Sequence, residues 1–175
     1  MSNFVLVKDD VLNKNECELI INNFKNRTES EVKNGINYAH FEKEDYEKLF
    51  FLKEKVVFLF DEYSKMYPQI NYMKDMYVLN EFRFKHFKPN NYFKGWHSEH
   101  SFEFNKRILC LQFYLSDHNC GTEFYDGFTV LSKTGRAMMF PAYFTHTHRG
   151  QLCPDYKDRY ILGGYANFSN DIIGN

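Results

Sequence analysis

A histidine and a carboxylate stand two residues apart in His97-Ser98-Glu99, and two more imidazoles come some fifty residues later in His146-Thr147-His148. Two imidazoles and one carboxylate can occupy one face of a divalent ion and leave the other face open to reacting molecules, the arrangement that suits non-haem Fe(II) oxygenases. The spacing of the first pair fits that geometry. In an extended strand His97 and Glu99 point to one side while Trp96 and Ser98 point to the other. Alone, the pair is weak evidence, because a chain with 7 His and 23 acidic residues contains such tripeptides by chance, and a solvated strand edge explains them. The downstream residues give the pair its weight.

The apolar run Met138-Met139-Phe140 ends at Pro141, which cannot donate to a ladder and so marks a strand end. His146 and His148 come just after that break, share one parity, and either could complete the set. Arg159 then opens Arg159-Tyr160-Ile161-Leu162-Gly163-Gly164-Tyr165, a short β-prone run. A guanidinium on a buried strand needs an anionic partner, and a dicarboxylate cosubstrate would supply one.

The elements that must position these residues divide the chain in two. Residues 14–26 predict an amphipathic helix, with Cys17, Leu19, Ile20, Ile21 and Phe24 grouped at helical spacing. Residues 43–66 predict a longer one, with a stripe of Tyr46, Leu49, Phe50, Lys53, Val56, Val57, Phe60 and Tyr63 that stops before Pro68. Both stripes are expected to be core. From Met76 the period becomes two, with Val78, Asn80, Phe82, Phe84 and His86 on one side and Leu79, Glu81, Arg83, Lys85 and Phe87 on the other. Turn signals recur from Pro89 to Gly135. The expected fold is mostly β: a double-stranded β-helix (jelly roll) over about residues 76–168, buttressed by N-terminal helices within about 10–70, in one domain spanning 1–175.

The His97-x-Glu99 pair, the Phe113-Tyr114-Leu115-Ser116-Asp117 strand, the Gly121-Thr122-Glu123-Phe124 turn, the Phe140-Pro141-Ala142 step and the His148 to Arg159 spacing resemble the prolyl 4-hydroxylase-like branch of the 2-oxoglutarate/Fe(II) dioxygenases. The opening segments Phe4-Val5-Leu6-Val7, Asp9 to Leu12 and Glu16 to Ile20 are similar to the strand and first helix of many members. Glu99 stands where Asp is commoner, and Arg159 where the prolyl hydroxylases proper carry Lys. The resemblance implies Fe(II) on His97, Glu99 and His148. It favours His148 over His146, whose distance to Arg159 is too long for the family. It also implies 2-oxoglutarate as cosubstrate, its far carboxylate held by Arg159 with help from the Tyr114 hydroxyl, and ascorbate as a candidate reductant. The implied activity is hydroxylation of a small molecule or of a peptide or protein, a prolyl residue among the options, coupled to decarboxylation of 2-oxoglutarate to succinate and CO2.

Composition fits an enzyme of this size. The chain has 175 residues, 19% of them aromatic, and a net charge of −1, which carries no nucleic-acid signal. Arg83, Lys85, Lys88, Lys94, Lys106 and Arg107 read as a solvated strand face or as a patch that steers substrate. Cys17, Cys110, Cys120 and Cys153 lack zinc-finger spacing, and no signal peptide or membrane span is visible, so free thiols and a cytoplasmic setting are expected. Oligomeric state is not legible. His40, His86 and His118 are expected to be ordinary packed or surface residues, His100 to sit at the rim of the site, Trp96 to pack, and Asp117 and Glu123 to occupy turns or edges. Two other classes compete: a cupin-like metal enzyme that uses no 2-oxoglutarate, and a non-catalytic β-barrel binding module. The cupin-like reading needs no Arg159.

Overall fold

Residues 107–114 are buried at every position, so both faces of that strand are covered. In a computed structural model that describes residues 4–27, 31–33, 35–73 and 76–168, the elements in chain order are β1 (Leu6–Lys8), α1 (Lys14–Phe24), β2 (Glu31–Lys33), β3 (Ile36–His40), α2 (Lys43–Lys48), α3 (Phe51–Met66), β4 (Met76–Phe87), β5 (Arg107–Tyr114), β6 (Gly121–Phe124), β7 (Thr129–Leu131), β8 (Ala137–Pro141), β9 (His148–Gly150) and β10 (Arg159–Phe168). Short 3-10 turns occupy Pro68–Tyr72 and Phe144–His146. Seven strands form one sheet in the order β1-β8-β5-β10-β4-β3-β2, and three form a second, β7-β6-β9. The pairings are antiparallel throughout.

Alternation sorts the side chains of the large sheet. Phe82 and Phe84 of β4, Leu109, Leu111 and Phe113 of β5, Met139 of β8 and Leu162 of β10 join one core with the helices. Cys110 and Tyr114 of β5, Met138 and Phe140 of β8, and Ile161 and Tyr165 of β10 join a second core with Phe124 and Val130 of the small sheet. The site lies in that second layer. The side chains of residues 76–80 lie outside the described residues, and with them the expected alternation at Val78, Leu79 and Asn80.

The helices occur where the periodicity places them, but two stripes are out of phase with it. Asn13 caps α1 through a capping box with Glu16. The helix buries Cys17, Ile20 and Phe24, and leaves Leu19 50% exposed. The expected helix over 43–66 is broken at Leu49-Phe50 into α2 and α3, which restarts the phase. Leu52, Val56, Leu59 and Tyr63 of α3 are buried, whereas Phe50 and Val57 are exposed. Among the described residues no helix is long and apolar enough to cross a membrane.

Phe84 is fully buried and joins the layers, stacked on Phe24 of α1 at 5.4 Å and on Tyr160 of β10 at 5.8 Å. Phe84→Ala should cost ~3–5 kcal/mol of unfolding free energy in a urea titration, the range for a large buried aromatic. A loss below about 1 kcal/mol would mean that the helical layer does not depend on this contact.

Candidate metal centre

His97 and His148 are brought together by the backbone. Each N–H donates to the other's carbonyl, at 3.0 and 2.9 Å, in an isolated antiparallel bridge. Two residues that exchange both bonds present their side chains on the same face. The expected extended strand over His97–Glu99 reduces to this bridge, because the Glu99 N–H turns to the Ala142 carbonyl at 3.0 Å. Glu99 nonetheless arrives beside both rings, with Oε1 3.6 Å from His97 Nε2 and 3.7 Å from His148 Nε2. Ligand atoms from all three residues lie within 4.8 Å of one another.

The tautomers are set from behind. His97 Nδ1 is 3.0 Å from the Gly95 carbonyl and His148 Nδ1 is 3.0 Å from the His146 carbonyl, so each Nδ1–H donates and each Nε2 lone pair faces inward. Burial pushes the pKa of His148 down, which favours the neutral ring that a metal needs. Burial works against the charge on Glu99, yet hydrogen bonds from the two rings when an Nε2 proton is present, together with the charge of Lys85, hold its carboxyl well below the usual range; a metal ion would take the place of that proton. Its second oxygen is occupied as well. Oε2 accepts from the Tyr165 hydroxyl at 2.7 Å and lies 3.5 Å from Arg107 Nη1. Arg107 is itself fixed between the rings of Phe104 and Tyr165, 3.8 and 3.7 Å from their centroids, and pairs with Glu81 at 3.0 Å. One face of the carboxylate is therefore anchored, and the other is free to bind an ion. Two imidazoles and one anchored carboxylate fit a divalent first-row metal.

His146 is buried but stands outside this set. Its Nδ1 lies 2.9 Å from Thr145 Oγ1, its ring faces Phe124 and Phe140, and its carbonyl orients His148. His100 hydrogen-bonds the Arg107 carbonyl. Trp96 remains 38% exposed, under Arg149 and against Tyr125. Asp117 caps Thr134 N–H, and Glu123 pairs with Arg149.

A narrow cleft beside the three donors is lined by Lys85, Phe87, Phe93, Gln112, Thr122, Arg159 and Ile161. Arg159 is 2% exposed and lies over the Phe87 ring, and its Nε has no partner. Among the described residues no carboxylate forms a salt bridge with it, and burial lowers its pKa to about 10, so it stays cationic at neutral pH. Cross-strand register places Lys85 opposite Ile161, between the Arg159 pair and the Tyr165 end of β10. Burial lowers the pKa of Lys85 too, while Glu99 opposes that. The expected solvated basic face is thus corrected at Lys85, Arg83 and Arg107, which turn into the layer between the sheets. Tyr114 departs from expectation as well. Its hydroxyl donates to Thr122 Oγ1 at 2.8 Å, and Thr122 and Gln112 line the cleft in its place. Parity along β10 placed Tyr165 on the same side as Arg159, a signal that could have found it.

No protein-family model matches the sequence, and no curated protein does. Solved structures do. A viral collagen prolyl hydroxylase from Paramecium bursaria Chlorella virus-1, in complex with 2-oxoglutarate, matches with a TM-score of 0.74 over 95% of this chain and 97% of its own, at 17% identity. The chain has the prolyl 4-hydroxylase fold. A Pseudomonas putida prolyl 4-hydroxylase matches at TM-score 0.70 and 14% identity, over 95% and 93% of the two chains. A Trichoplax adhaerens prolyl hydroxylase, solved with a hypoxia-inducible-factor peptide fragment, gives 0.72 and 13%, over 95% and 84%.

Within this prolyl 4-hydroxylase fold, His148→Ala should abolish Mn(II) binding in titration calorimetry while His146→Ala retains it; the reverse pattern would move the ligand to His146. Tyr165→Phe keeps the ring and removes the hydroxyl behind Glu99, so Mn(II) affinity should fall about 10- to 100-fold, as when an outer partner of a ligand is lost. Unchanged affinity would show that Tyr165 does not orient the carboxylate.

Proposed function

We propose that this protein is a 2-oxoglutarate- and Fe(II)-dependent dioxygenase that hydroxylates a C–H bond of its substrate, with His97, Glu99 and His148 holding the iron. The observation that carries this reading is Arg159, a buried cation that among the described residues has no carboxylate partner and that lines the same cleft as His97 and His148. Leaving a guanidinium buried and unpaired is costly, and a dicarboxylate entering the cleft removes that cost. The solved relative that binds 2-oxoglutarate supports the choice of dicarboxylate. In this reading the two sheets are the halves of a double-stranded β-helix and the chain acts as one domain.

Bound iron would supply the activation of dioxygen that hydroxylation requires. The protein's own residues do the rest. Arg159 offers its planar fork to the far carboxylate, a bidentate fit that a lysine cannot reproduce. Lys85, which lines the same cleft, would help to neutralise the cosubstrate's charge. Phe87, Phe93 and Ile161 exclude water along the cleft. Tyr165 and Arg107 fix the Glu99 oxygen that does not face the ion. The substrate class that best fits is a peptide, as in the Trichoplax relative solved with its peptide fragment. Ascorbate is the reductant we would include in assays. A cupin-like enzyme or a binding module would have no use for Arg159 beside the metal donors.

Arg159→Ala should keep metal binding and raise the apparent KM for 2-oxoglutarate about 10- to 1,000-fold, since each charge-assisted hydrogen bond is worth ~1.5–3 kcal/mol and ~1.4 kcal/mol is tenfold. Succinate release measured against 2-oxoglutarate concentration reads this directly. An unchanged KM would mean that the cosubstrate is held elsewhere or is not 2-oxoglutarate.

A further inference from the structure

Outside the His-Glu-His set, the described residues hold one more group of potential metal ligands, in two loops that flank Arg159. His118 and Cys120 lie between β5 and β6, and Cys153 and Asp155 lie between β9 and β10. Ligand atoms of His118, Cys153 and Asp155 fall within 4.8 Å of one another. Cys120 and Cys153 are joined by a disulfide, with Cα atoms 5.0 Å apart, which corrects the free-thiol expectation for this pair; Cys17 and Cys110 are free. His118, expected to be ordinary, is 8% exposed.

We propose that, when the Cys120–Cys153 bond is reduced, these four side chains form a second, structural site for Zn(II). The chemistry is that of closed zinc sites, which combine thiolates with imidazole and carboxylate in tetrahedral sets. Bonds of about 2.0–2.3 Å place neighbouring ligand atoms roughly 3.3–3.8 Å apart, so small shifts suffice to gather a cluster already this close. Reduction by two monothiols of the glutathione class breaks the S–S bond, yields two cysteine thiols and leaves the reductant as its own disulfide. Zinc then displaces both thiol protons to the solvent.

The atoms around the cluster are already arranged for this. His118 Nδ1 lies 2.8 Å from Asp155 Oδ2, and its other nitrogen, Nε2, is hydrogen-bonded to Ser116 Oγ at 2.9 Å. That outer bond is the usual way in which a ligating imidazole is oriented. Asp155 Oδ1 accepts from the Lys157 N–H, which leaves Oδ2 to face the cluster. Cys120 is held by its backbone, because its carbonyl accepts from Ser132 N–H and the next residue is Gly121. A Cβ at Gly121 would stand 1.9 Å from the Val130 carbonyl oxygen, so only glycine fits at this close strand approach. Arg159 Nη1 lies 3.0 Å from Cys120 Sγ, a cation beside a set that would carry one net negative charge. Clamping the two loops needs only the disulfide. The buried His118 imidazole and the partly buried Asp155 carboxylate, gathered at the same sulfur, add two more donors to that clamp.

This proposal stands apart from the iron site and is tested by a signal that His97, Glu99 and His148 cannot produce. Protein reduced with a trialkylphosphine and stripped by chelation is titrated with Co(II) and followed for thiolate-to-cobalt charge transfer in the near ultraviolet. The band should rise in the reduced protein, vanish on addition of Zn(II), be absent from the oxidised protein, and be lost in Cys153→Ser. Ser116→Ala leaves all four ligands in place and should weaken the titration about 10- to 100-fold. Asp155→Asn, which keeps both thiols, should weaken it as well. No band in the reduced wild type, a band that survives Cys153→Ser, or wild-type affinity in both Ser116→Ala and Asp155→Asn would each overturn the proposal.

Discussion

A carboxylate buried between two sheets has to be answered at both of its oxygens, and the layer around Glu99 is built to do so. Tyr165 and Arg107 hold Oε2, while the two imidazoles gather at Oε1. Those contacts draw on β5, β9, β10 and the loop after β4, so the placement of one side chain fixes how the sheets close on each other. An extra methylene relative to aspartate lengthens the reach of the ligand, and the anchoring of its outer oxygen restricts where that length can go. The same layer contains Arg83, Lys85, Arg107 and Arg159, more positive charge than Glu99 and the half-exposed Glu81 offset. An anionic guest would offset that imbalance.

Much of this was legible in residue types and parity. The strand break at Pro141 and the cation opening β10 read directly from the chain, because each depends on local geometry, whereas Glu99 reaches the two rings through a turn toward Ala142 and not through the extended i, i+2 spacing. What was not legible depends on which strands pair. Lys85 and Arg107 look like solvated charges until β4 and β10 are set side by side and their face is closed by the small sheet. Tyr114 could be given an inward hydroxyl, but not the Thr122 partner that captures it. The stripe over 43–66 misled at Phe50 and Val57 because a two-residue break between helices resets the phase, which periodicity across the break cannot register. His118, Cys120, Cys153 and Asp155 meet through two loops far apart in sequence, and no spacing rule announces such a meeting.

The two clusters share one residue's surroundings. Arg159 projects into the cleft from the first position of β10, immediately after the loop that carries Cys153 and Asp155, and it touches Cys120 from the other loop. Whatever fixes those loops, disulfide or metal, also fixes the entry of β10 and with it the direction of the guanidinium. The Arg159 guanidinium is thus supported by the Cys120 side on one flank and by the Phe87 ring on the other.

The central claim is that a keto acid binds directly to iron held by His97, Glu99 and His148. Visible absorption of the Fe(II)-loaded protein, recorded without oxygen during addition of 2-oxoglutarate, tests it most directly, because chelation by a keto acid creates a metal-to-ligand charge-transfer band that a simple dicarboxylate cannot. The account requires a saturable band with 2-oxoglutarate and none with succinate. Iron that stays bound while 2-oxoglutarate at saturating concentration produces no band would contradict it.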